Sequence, residues 1–227
     1  LLKVKQKKRS SVDTTILIAD DHPLFRAAMR QALVDIVGDS ILEVASFSEA
    51  YEAVEEHDEI ELVFLDLNMP GNEGLTGLTE LRTQFPSVLV VIVSAEEDPT
   101  LIRRAIDLGA SGYIPKSTPL PQIADAVNKV LDGEQWLPGN INDAISQLEN
   151  KQDKAFADKL AQLTPHQFKV LKMMADGLLN KQIAYELDIS ESTVKQHVSA
   201  VLRKLEVINR TKAGVLFKQM MNNEESH

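Results

Sequence analysis

The first 132 residues alternate short apolar runs with longer stretches of mixed polarity. The runs hold almost no polar positions, which is typical of strands buried on both faces of a parallel sheet; they span Thr15–Ala19, 41–45, 62–65, 88–93 and 112–114. The intervening stretches are amphipathic at a helical period, and predict helices near 23–37, 48–56, 74–84, 98–108 and 119–131. Five strand–helix units predict one doubly wound α/β domain over residues 15–132.

A polar linker follows this domain. Residues 133–160 are rich in Asn, Gln and Lys, and the helical spacing of Ile141, Ile145 and Leu148 predicts that the linker is partly helical. The two ends of the chain, residues 1–14 and 222–227, predict flexible tails, of which the first is basic. The linker therefore separates the α/β domain from whatever the remaining residues form.

Residues 161–221 have the pattern of short helices in close succession. Thr164 and Gln167 form a capping box with proline between them, and Gly177 is a helix stop signal. Further helices are predicted near 181–187, 191–205 and 211–221. The chain thus ends in a small all-α domain.

The helix over Glu191–Leu205 has two distinct faces. Its apolar positions recur at helical spacing and comprise Val194, Val198, Val201, Leu202 and Leu205. The opposite face carries side chains that can contact bases and phosphates, namely Ser192, Lys195, Gln196, Ser199 and Arg203. With the short helix and tight turn before it, this segment predicts a helix-turn-helix whose second helix enters the major groove of DNA.

Composition and charge agree with two domains that have different partners. The chain has 227 residues, 44% of them hydrophobic, which is enough for real cores. Residues 13–160 carry 10 basic and 27 acidic side chains, whereas residues 161–221 carry 9 basic and 5 acidic ones. A basic domain after an acidic one favours nucleic acid as partner of the former.

The composition also excludes some kinds of chemistry. Without cysteine, disulfides and thiolate chemistry are excluded. Without a long apolar stretch, we expect a cytoplasmic protein with no membrane partner.

Polar residues stand where the predicted strands end. They are Asp20, Asp21, Asp66, Ser94 and Lys116. Because open parallel sheets bind ligands at the carboxyl ends of their strands, we expect these side chains to converge. Three carboxylates would repel one another unless a cation offset them, and hard oxygen ligands suit Mg²⁺. A cation, a carboxylate, a hydroxyl and an ammonium together are what phosphoryl transfer requires.

These residues and their neighbours resemble the receiver domain of bacterial two-component response regulators, which has a flavodoxin-like fold. The resemblance is carried by Asp20-Asp21, the block from Asp66 to Gly71, Ser94-Ala95, and the block from Gly112 to Lys116. It implies that Asp66 accepts the phosphoryl group, from a sensor histidine kinase or a small phosphodonor. It further implies roles for six other residues. Asp20, Asp21 and the carbonyl of Asn68 bind Mg²⁺ together with Asp66. Ser94 and Lys116 hold the phosphoryl oxygens, and Tyr113 is the switch aromatic.

The last domain resembles the LuxR-type DNA-binding domain. The matching residues include Leu163-Thr-Pro, Ala175-Asp-Gly, Asn180 to Ala184, Ile189 to Lys195, and Asn209-Arg-Thr. The resemblance implies base reading by Lys195, Gln196 and Ser199. It further implies that six residues contact promoter DNA or position the domain on it: Lys181, Thr193, His197, Arg203, Lys204 and Arg210. We add Ser192, on the same helix face, to the predicted DNA-contacting residues. Leu179 departs from the pattern, because the family usually has a small polar residue there.

Together the two resemblances identify the chain as similar to the NarL/FixJ class of response regulators. This implies a transcription regulator that catalyses only its own phosphorylation and dephosphorylation, and that dimerises and binds double-stranded DNA when phosphorylated. It also implies that the unphosphorylated receiver packs on the DNA-binding domain and covers Glu191–Leu205. Phosphate on Asp66 would shift Tyr113 and alter the face made by 98–108, 112–114 and 119–131.

Two other functions are compatible with parts of the sequence. One is a DNA-binding regulator that carries a receiver-like domain but does not depend on phosphorylation, although the intact acidic cluster argues against it. The other is a haloacid-dehalogenase-like phosphohydrolase, which also uses a strand-end aspartate and Mg²⁺. That family needs a second aspartate two residues after the nucleophile as general acid, and this chain has Asn68 there.

Overall fold

The computed structural model describes residues 14–139, 141, 145 and 151–222. Five strands form one parallel sheet: β1 (Thr15–Ala19), β2 (Ile41–Val44), β3 (Ile60–Asp66), β4 (Leu89–Ser94) and β5 (Gly112–Pro115). Five helices alternate with them: α1 (Pro23–Val37), α2 (Phe47–Glu56), α3 (Thr76–Gln84), α4 (Pro99–Asp107) and α5 (Leu120–Leu131). The strand order β2-β1-β3-β4-β5 is that of flavodoxin-like folds, so the predicted fold class is confirmed.

Side chains that alternate along the strands supply both faces of this sheet. Ile16, Ile18, Leu62 and Phe64 belong to a buried cluster with α1 and α5, while Leu17, Val63 and Leu65 belong to the cluster on the side of α2, α3 and α4. Because both faces are covered, the strands tolerate no polar alternation, which is the pattern the sequence shows. The carboxyl-end edge of the sheet is therefore left free of helices, and the loops that follow the strands can form a ligand site there.

The single tryptophan of the chain lies beside the last strand. Trp136 is 7% exposed and pairs with Gly112, and its carbonyl accepts a hydrogen bond of 3.1 Å from the Tyr113 amide. A Cβ at Gly112 would stand 2.9 Å from the Trp136 carbonyl oxygen, so this close approach requires glycine. Ile141 and Ile145 are also buried, whereas Leu148 of the predicted linker helix lies outside the described residues.

The remaining helices are α6 (Lys151–Leu160), α7 (Pro165–Ala175), α8 (Asn180–Glu186), α9 (Glu191–Leu205) and α10 (Arg210–Met221). Helix α6 lies within the predicted linker. Helices α7 to α10 pack around Phe168, Ile183, Val194, Val201 and Phe217, and this cluster continues without a break into the core on the α2–α4 side of the sheet. Most of both predicted tails, residues 1–13 and 223–227, falls outside the described residues.

Side-chain caps fix where the helices of the second domain begin. Thr164 and Gln167 form the predicted capping box, with bonds of 3.3 Å and 3.2 Å. Ser190 accepts from the Thr193 amide at 3.1 Å and starts α9. Helix α8 begins at Leu179, whose side chain cannot accept a hydrogen bond, so only half of a box exists there: the Gln182 side chain accepts from the Leu179 amide at 2.8 Å.

We predict that these two caps respond oppositely to substitution. Thr164→Ala removes an acceptor and should cost about 1 kcal/mol of the free energy of unfolding, whereas Leu179→Ser completes a box and should add roughly 0.5–1 kcal/mol. Urea denaturation followed by circular dichroism measures both. A Leu179→Ser protein no more stable than the parent would show that α8 does not need a side-chain cap.

Candidate functional site

Three carboxylates meet where β1 and β3 end. Asp20 and Asp21 follow β1, and Asp66 is the last residue of β3. The side chains of Asp20 and Asp66 are 2% and 1% exposed, although both are charged residue types. Together with His22, each of the three offers one possible metal-ligand atom, and these atoms lie within 4.8 Å of one another. The predicted convergence is therefore present in the structure.

Lys116 places one positive charge between the two buried carboxylates. Its Nζ lies 2.8 Å from Oδ2 of Asp20 and 2.8 Å from Oδ2 of Asp66. Burial lowers the pKa of Lys116, but the hydrogen bonds and charges of Asp20 and Asp66 outweigh it and raise the pKa above its ordinary value. The Phe25 ring, 5.1 Å from Nζ, adds a cation–π contact. Lys116 is therefore held charged at neutral pH.

The pocket retains unsatisfied negative charge that suits a divalent cation. Among the described residues, the buried oxygens Oδ2 of Asp20 and Oδ1 of Asp21 have only the ion-pair contacts with Lys116 and His22, at 2.8 Å and 2.7 Å, and no further hydrogen-bond donor. His22 is mostly exposed and reaches Asp21 with Nδ1 at 2.7 Å. Carboxylate oxygens with access to water are the donor set that Mg²⁺ takes. The residues present therefore fit the ion that the receiver resemblance implies.

Ser94 is the last residue of β4, and Tyr113 lies within the neighbouring strand β5. Ser94 is fully buried, and its Oγ accepts from the Glu96 amide at 3.1 Å. Tyr113 is also fully buried, and its hydroxyl donates to the Glu96 carbonyl at 2.8 Å. Burial is the main cause that raises the pKa of Tyr113, so the phenol stays protonated as a donor. The sequence identified both residues but not Glu96, which links them.

Two residues that the sequence analysis did not identify also support the pocket. Asn72 donates from Nδ2 to the Asp66 carbonyl at 3.0 Å and to the Leu67 carbonyl at 3.2 Å, and its Oδ1 accepts from the Gly77 amide at 3.0 Å. Arg26 donates to the Asp20 carbonyl at 2.5 Å. The signal for Asn72 was its place in the turn after Asp66, where a short amide side chain can satisfy loop carbonyls.

The polar face of α9 is open to solvent in this structure. Lys195, Gln196, Ser199 and Arg203 are exposed, as are Ser192 on the same face and Lys181 on α8. The structure therefore brings the predicted base-reading residues onto one accessible surface.

Other predicted DNA contacts take part in bonds within the domain. Lys204 donates to the Gln162 carbonyl at 2.8 Å and to Oε1 of Gln167 at 2.7 Å. Arg210 donates to the Leu178 carbonyl and thereby ties the start of α10 to the α7–α8 turn. The Thr193 hydroxyl lies 2.9 Å from Oγ of Ser190, within the α9 cap. Half-buried His197 stands 6.1 Å, centroid to centroid, from the His166 ring.

The packing of the two domains corrects one expectation. The α/β domain does contact the helical one, through α3 with α7 and α4 with α6. It does not cover Glu191–Leu205, however, because the polar face of α9 is exposed. The contact uses the opposite side of the helical domain, where Lys172 of α7 pairs with Glu80 of α3 at 3.0 Å. The expected masking of the recognition helix was therefore wrong for this arrangement.

Comparisons with known proteins agree with both domains. The model of the response regulator receiver domain matches residues 16–128, and that of the bacterial regulatory proteins of the luxR family matches residues 161–217. The glycerol metabolism activator of Pseudomonas putida is 47% identical over 87% of this chain and 92% of its own length. The nitrate/nitrite response regulator protein NarL of Escherichia coli is 33% identical over 90% and 95%.

Solved structures share the fold. Salmonella typhimurium RcsB matches with a TM-score of 0.55 at 21% identity over 91% of this chain and 98% of that one. An RcsB–DNA complex matches with a TM-score of 0.54 at 22% identity over the same shares.

The acidic pocket on a flavodoxin-like domain, followed by a helix-turn-helix, defines a DNA-binding regulator rather than a metabolic enzyme. The chain belongs to the two-component response regulators that join a receiver domain to a LuxR-type DNA-binding domain. Receiver domains typically bind Mg²⁺ at an acidic pocket, and this chain has a cluster of aspartates that could hold a metal ion. Within the described residues, no helix is long and apolar enough to cross a membrane.

We predict that removal of the Lys116 charge destabilises the fold. Lys116→Met leaves Asp20 and Asp66 buried without their cation, so the free energy of unfolding measured in urea with a chelator should fall by about 3–5 kcal/mol. Lys129→Met is the matched control, because its pair with Asp125 is roughly half-exposed and screened by water, and it should leave the free energy of unfolding nearly unchanged. Equal effects of the two substitutions would contradict the role assigned to Lys116.

Proposed function

We propose that this chain is a transcription regulator whose DNA binding is controlled by phosphorylation of Asp66. The observation that carries the proposal is the pocket of three carboxylates with Lys116 between the buried pair, on the same chain as a helix-turn-helix with an exposed polar face. The first feature is equipped for phosphoryl transfer, and the second for base contacts.

Each pocket residue has a role in that transfer. A carboxylate oxygen of Asp66 attacks the phosphorus of the donor, and the bond from phosphorus to the leaving group breaks. Bound Mg²⁺ would be held by Asp20, Asp21, Asp66 and the Asn68 carbonyl, and would neutralise charge on the phosphoryl oxygens. Ser94 donates a hydrogen bond and Lys116 a charge-assisted one to those oxygens. For this, Lys116 exchanges its bond to Asp66 for one to the phosphoryl group.

The phosphoryl donor follows from the class of protein. A sensor histidine kinase carries the group on an imidazole nitrogen, and a small acyl phosphate carries it on oxygen; both are good leaving groups at the pocket mouth. His22, mostly exposed, lies at that mouth beside Asp21. The Pseudomonas putida relative is named for activation of glycerol metabolism. We extend to this chain only a role in regulating transcription.

The DNA-binding surface is the polar face of α9. We propose that Lys195, Gln196 and Ser199 contact base edges, and that Arg203 and Lys181 contact phosphates. One small helix-turn-helix reads only a few base pairs, so a specific site requires two copies related by a two-fold axis. We therefore propose a homodimer on DNA, with its formation favoured by phosphorylation.

A regulator that ignores phosphorylation is the second candidate, because the polar face of α9 is already exposed in this arrangement of the domains. A DNA titration with and without beryllofluoride, which mimics a phosphoryl group, separates the two candidates. The proposal expects higher DNA affinity and a larger dimer fraction with the mimic. Identical affinity and dimer fraction would favour the second candidate.

We predict that Asp66 is the phosphorylated residue. Incubation with acetyl phosphate and Mg²⁺ should add one phosphoryl mass to the intact protein, and Asp66→Asn should abolish it because the amide is not a nucleophile. Asp21→Asn should slow labelling through weaker Mg²⁺ binding, while Glu52→Gln, an exposed acid on α2, should label like the parent. Full labelling of Asp66→Asn would refute the assignment. Sustained release of phosphate would instead favour a hydrolase.

We also predict separable roles on α9. Lys195→Ala or Gln196→Ala should weaken binding to the target by ~1–3 kcal/mol and relax its sequence preference. Arg203→Ala should weaken binding to all sequences alike and reduce the salt dependence of the affinity. Fluorescence anisotropy at several salt concentrations, with a target and a scrambled duplex, measures both. Unchanged affinity and preference in both Lys195→Ala and Gln196→Ala would place the base-reading face elsewhere.

A further inference from the structure

His22 occupies the N-cap position of α1, but its side chain does not cap the helix. Its backbone is extended, with φ −92° and ψ 105°, and the imidazole bonds to no amide of the first turn. Pro23 follows at the start of the helix, where a proline fits without a side-chain cap. The His22 amide instead donates to Oδ1 of Asp20 at 2.8 Å. The imidazole therefore does not help to start α1 and is available to the acidic pocket.

The Nδ1 atom of His22 faces all three carboxylates. It lies 2.7 Å from Oδ1 of Asp21, 3.1 Å from Oδ1 of Asp20 and 3.9 Å from Oδ2 of Asp66. Nitrogen and oxygen atoms that bind one ion at about 2.0–2.1 Å are about 2.9–3.4 Å apart in octahedral or tetrahedral geometry. The three distances from Nδ1 bracket that range. Rotation of the two exposed or partly exposed side chains, His22 and Asp21, can close the remaining differences.

The charge of the pocket matches a divalent cation. Asp20, Asp21 and Asp66 contribute three negative charges, and Lys116 compensates one of them from 2.8 Å. Two negative charges remain, and the buried oxygens of Asp20 and Asp21 have no further hydrogen-bond donor among the described residues. The Asp20 side chain is 2% exposed. A carboxylate that has lost so much of its hydration gains from a bound cation.

A nitrogen ligand changes which cation this pocket prefers. Mg²⁺ takes oxygen ligands and keeps several waters, whereas imidazole suits Zn²⁺, Ni²⁺ and Cu²⁺. Three carboxylates and one imidazole supply four ligands, which is the number that completes the tetrahedral shell of Zn²⁺. A shell completed by side chains has no open position, as in structural zinc sites. The waters of Mg²⁺, in contrast, are positions that phosphoryl oxygens can take.

We propose that Asp20, Asp21, His22 and Asp66 form a closed site for Zn²⁺, and that Zn²⁺ in this site excludes the phosphoryl group. Zn²⁺ and Mg²⁺ share the three carboxylates and therefore compete, but only Zn²⁺ uses the His22 nitrogen. Bound Zn²⁺ also takes up the carboxylate of Asp66 that attacks phosphorus. The metal site itself does not depend on the proposed function, whereas its effect on phosphorylation rests on that function.

Another histidine of the chain provides a matched control. Nδ1 of His57 lies 3.2 Å from Oε1 of Glu59, and the two side chains are 44% and 58% exposed. The distance resembles those of His22, but the environment does not. Within the described residues, only the group that contains His22 brings three or more ligand atoms close enough to hold one ion.

Calorimetric titration of the untagged full chain with Zn²⁺ tests the site. His22→Phe keeps an aromatic ring but removes the ligand nitrogen. Loss of residues that only support a ligand weakens metal affinity by about 10–100-fold, so His22→Phe should raise the Zn²⁺ dissociation constant on the order of 10-fold or more. His57→Phe should bind Zn²⁺ like the parent, and added Mg²⁺ should weaken Zn²⁺ binding to the parent. Equal dissociation constants for the parent and His22→Phe, or no effect of Mg²⁺, would overturn the proposal.

Co²⁺ reports the geometry of the same site, because it absorbs visible light strongly in a four-coordinate shell and weakly in a six-coordinate one. The parent should give the strong absorption and lose it when Zn²⁺ is added. His22→Phe should give only the weak absorption, and His22→Ala should do the same if phenylalanine disturbs α1. Identical spectra of the parent and both variants would show that His22 is not a ligand.

Labelling by acetyl phosphate separates this proposal from the proposed function. With Mg²⁺ present, Zn²⁺ at a concentration that fills the site should lower labelling of the parent, and His22→Phe should need more Zn²⁺ for the same effect. Labelling that Zn²⁺ does not lower would refute the exclusion of the phosphoryl group. A parent that is not labelled with Mg²⁺ alone would refute the proposed function, while Zn²⁺ binding that depends on His22 would still support the metal site.

Discussion

The convergence of three carboxylates at one edge of the sheet is the constraint on which the rest of the structure depends. Parallel strands must present their ends together, and in this chain those ends are acidic. Lys116, between Asp20 and Asp66, compensates part of that charge at 2.8 Å from each. The negative charge that Lys116 does not compensate favours binding of a divalent cation. The same charge repulsion destabilises the fold when no cation is bound.

The loop after Asp66 connects the acidic pocket with the start of α3 and the end of α10. Asn72 binds the backbone on both sides of that loop, and the loop ends at the glycine against which α10 rests. The buried cluster on this side of the sheet continues into the helical domain, so the two domains share one core. The backbone between Asp66 and Leu75 is therefore in contact with both the acidic pocket and the end of α10.

The helical domain uses different helices for DNA contact and for contact with the α/β domain. The face of α9 with Lys195 and Gln196 points to solvent, while α7 and the end of α10 face the receiver. The recognition face is therefore accessible while the two domains are in contact. Hydrogen bonds of Lys204 with Gln167 and of Arg210 with the Leu178 carbonyl tie α9 and the start of α10 to the rest of the domain.

The sequence by itself determined the five strands, the helices between them, the acidic residues of the pocket and the polar face of α9. These depend on periodicity and on chemistry at strand ends, which are local properties of the chain. Only the tertiary structure decided that Glu96 links Ser94 to Tyr113, that Asn72 clamps the loop after Asp66, and that the receiver rests on α10 rather than on α9. Those outcomes depend on contacts between residues far apart in sequence, such as Leu75 with Met221, and no local pattern of hydrophobic and polar positions specifies which backbone groups will meet.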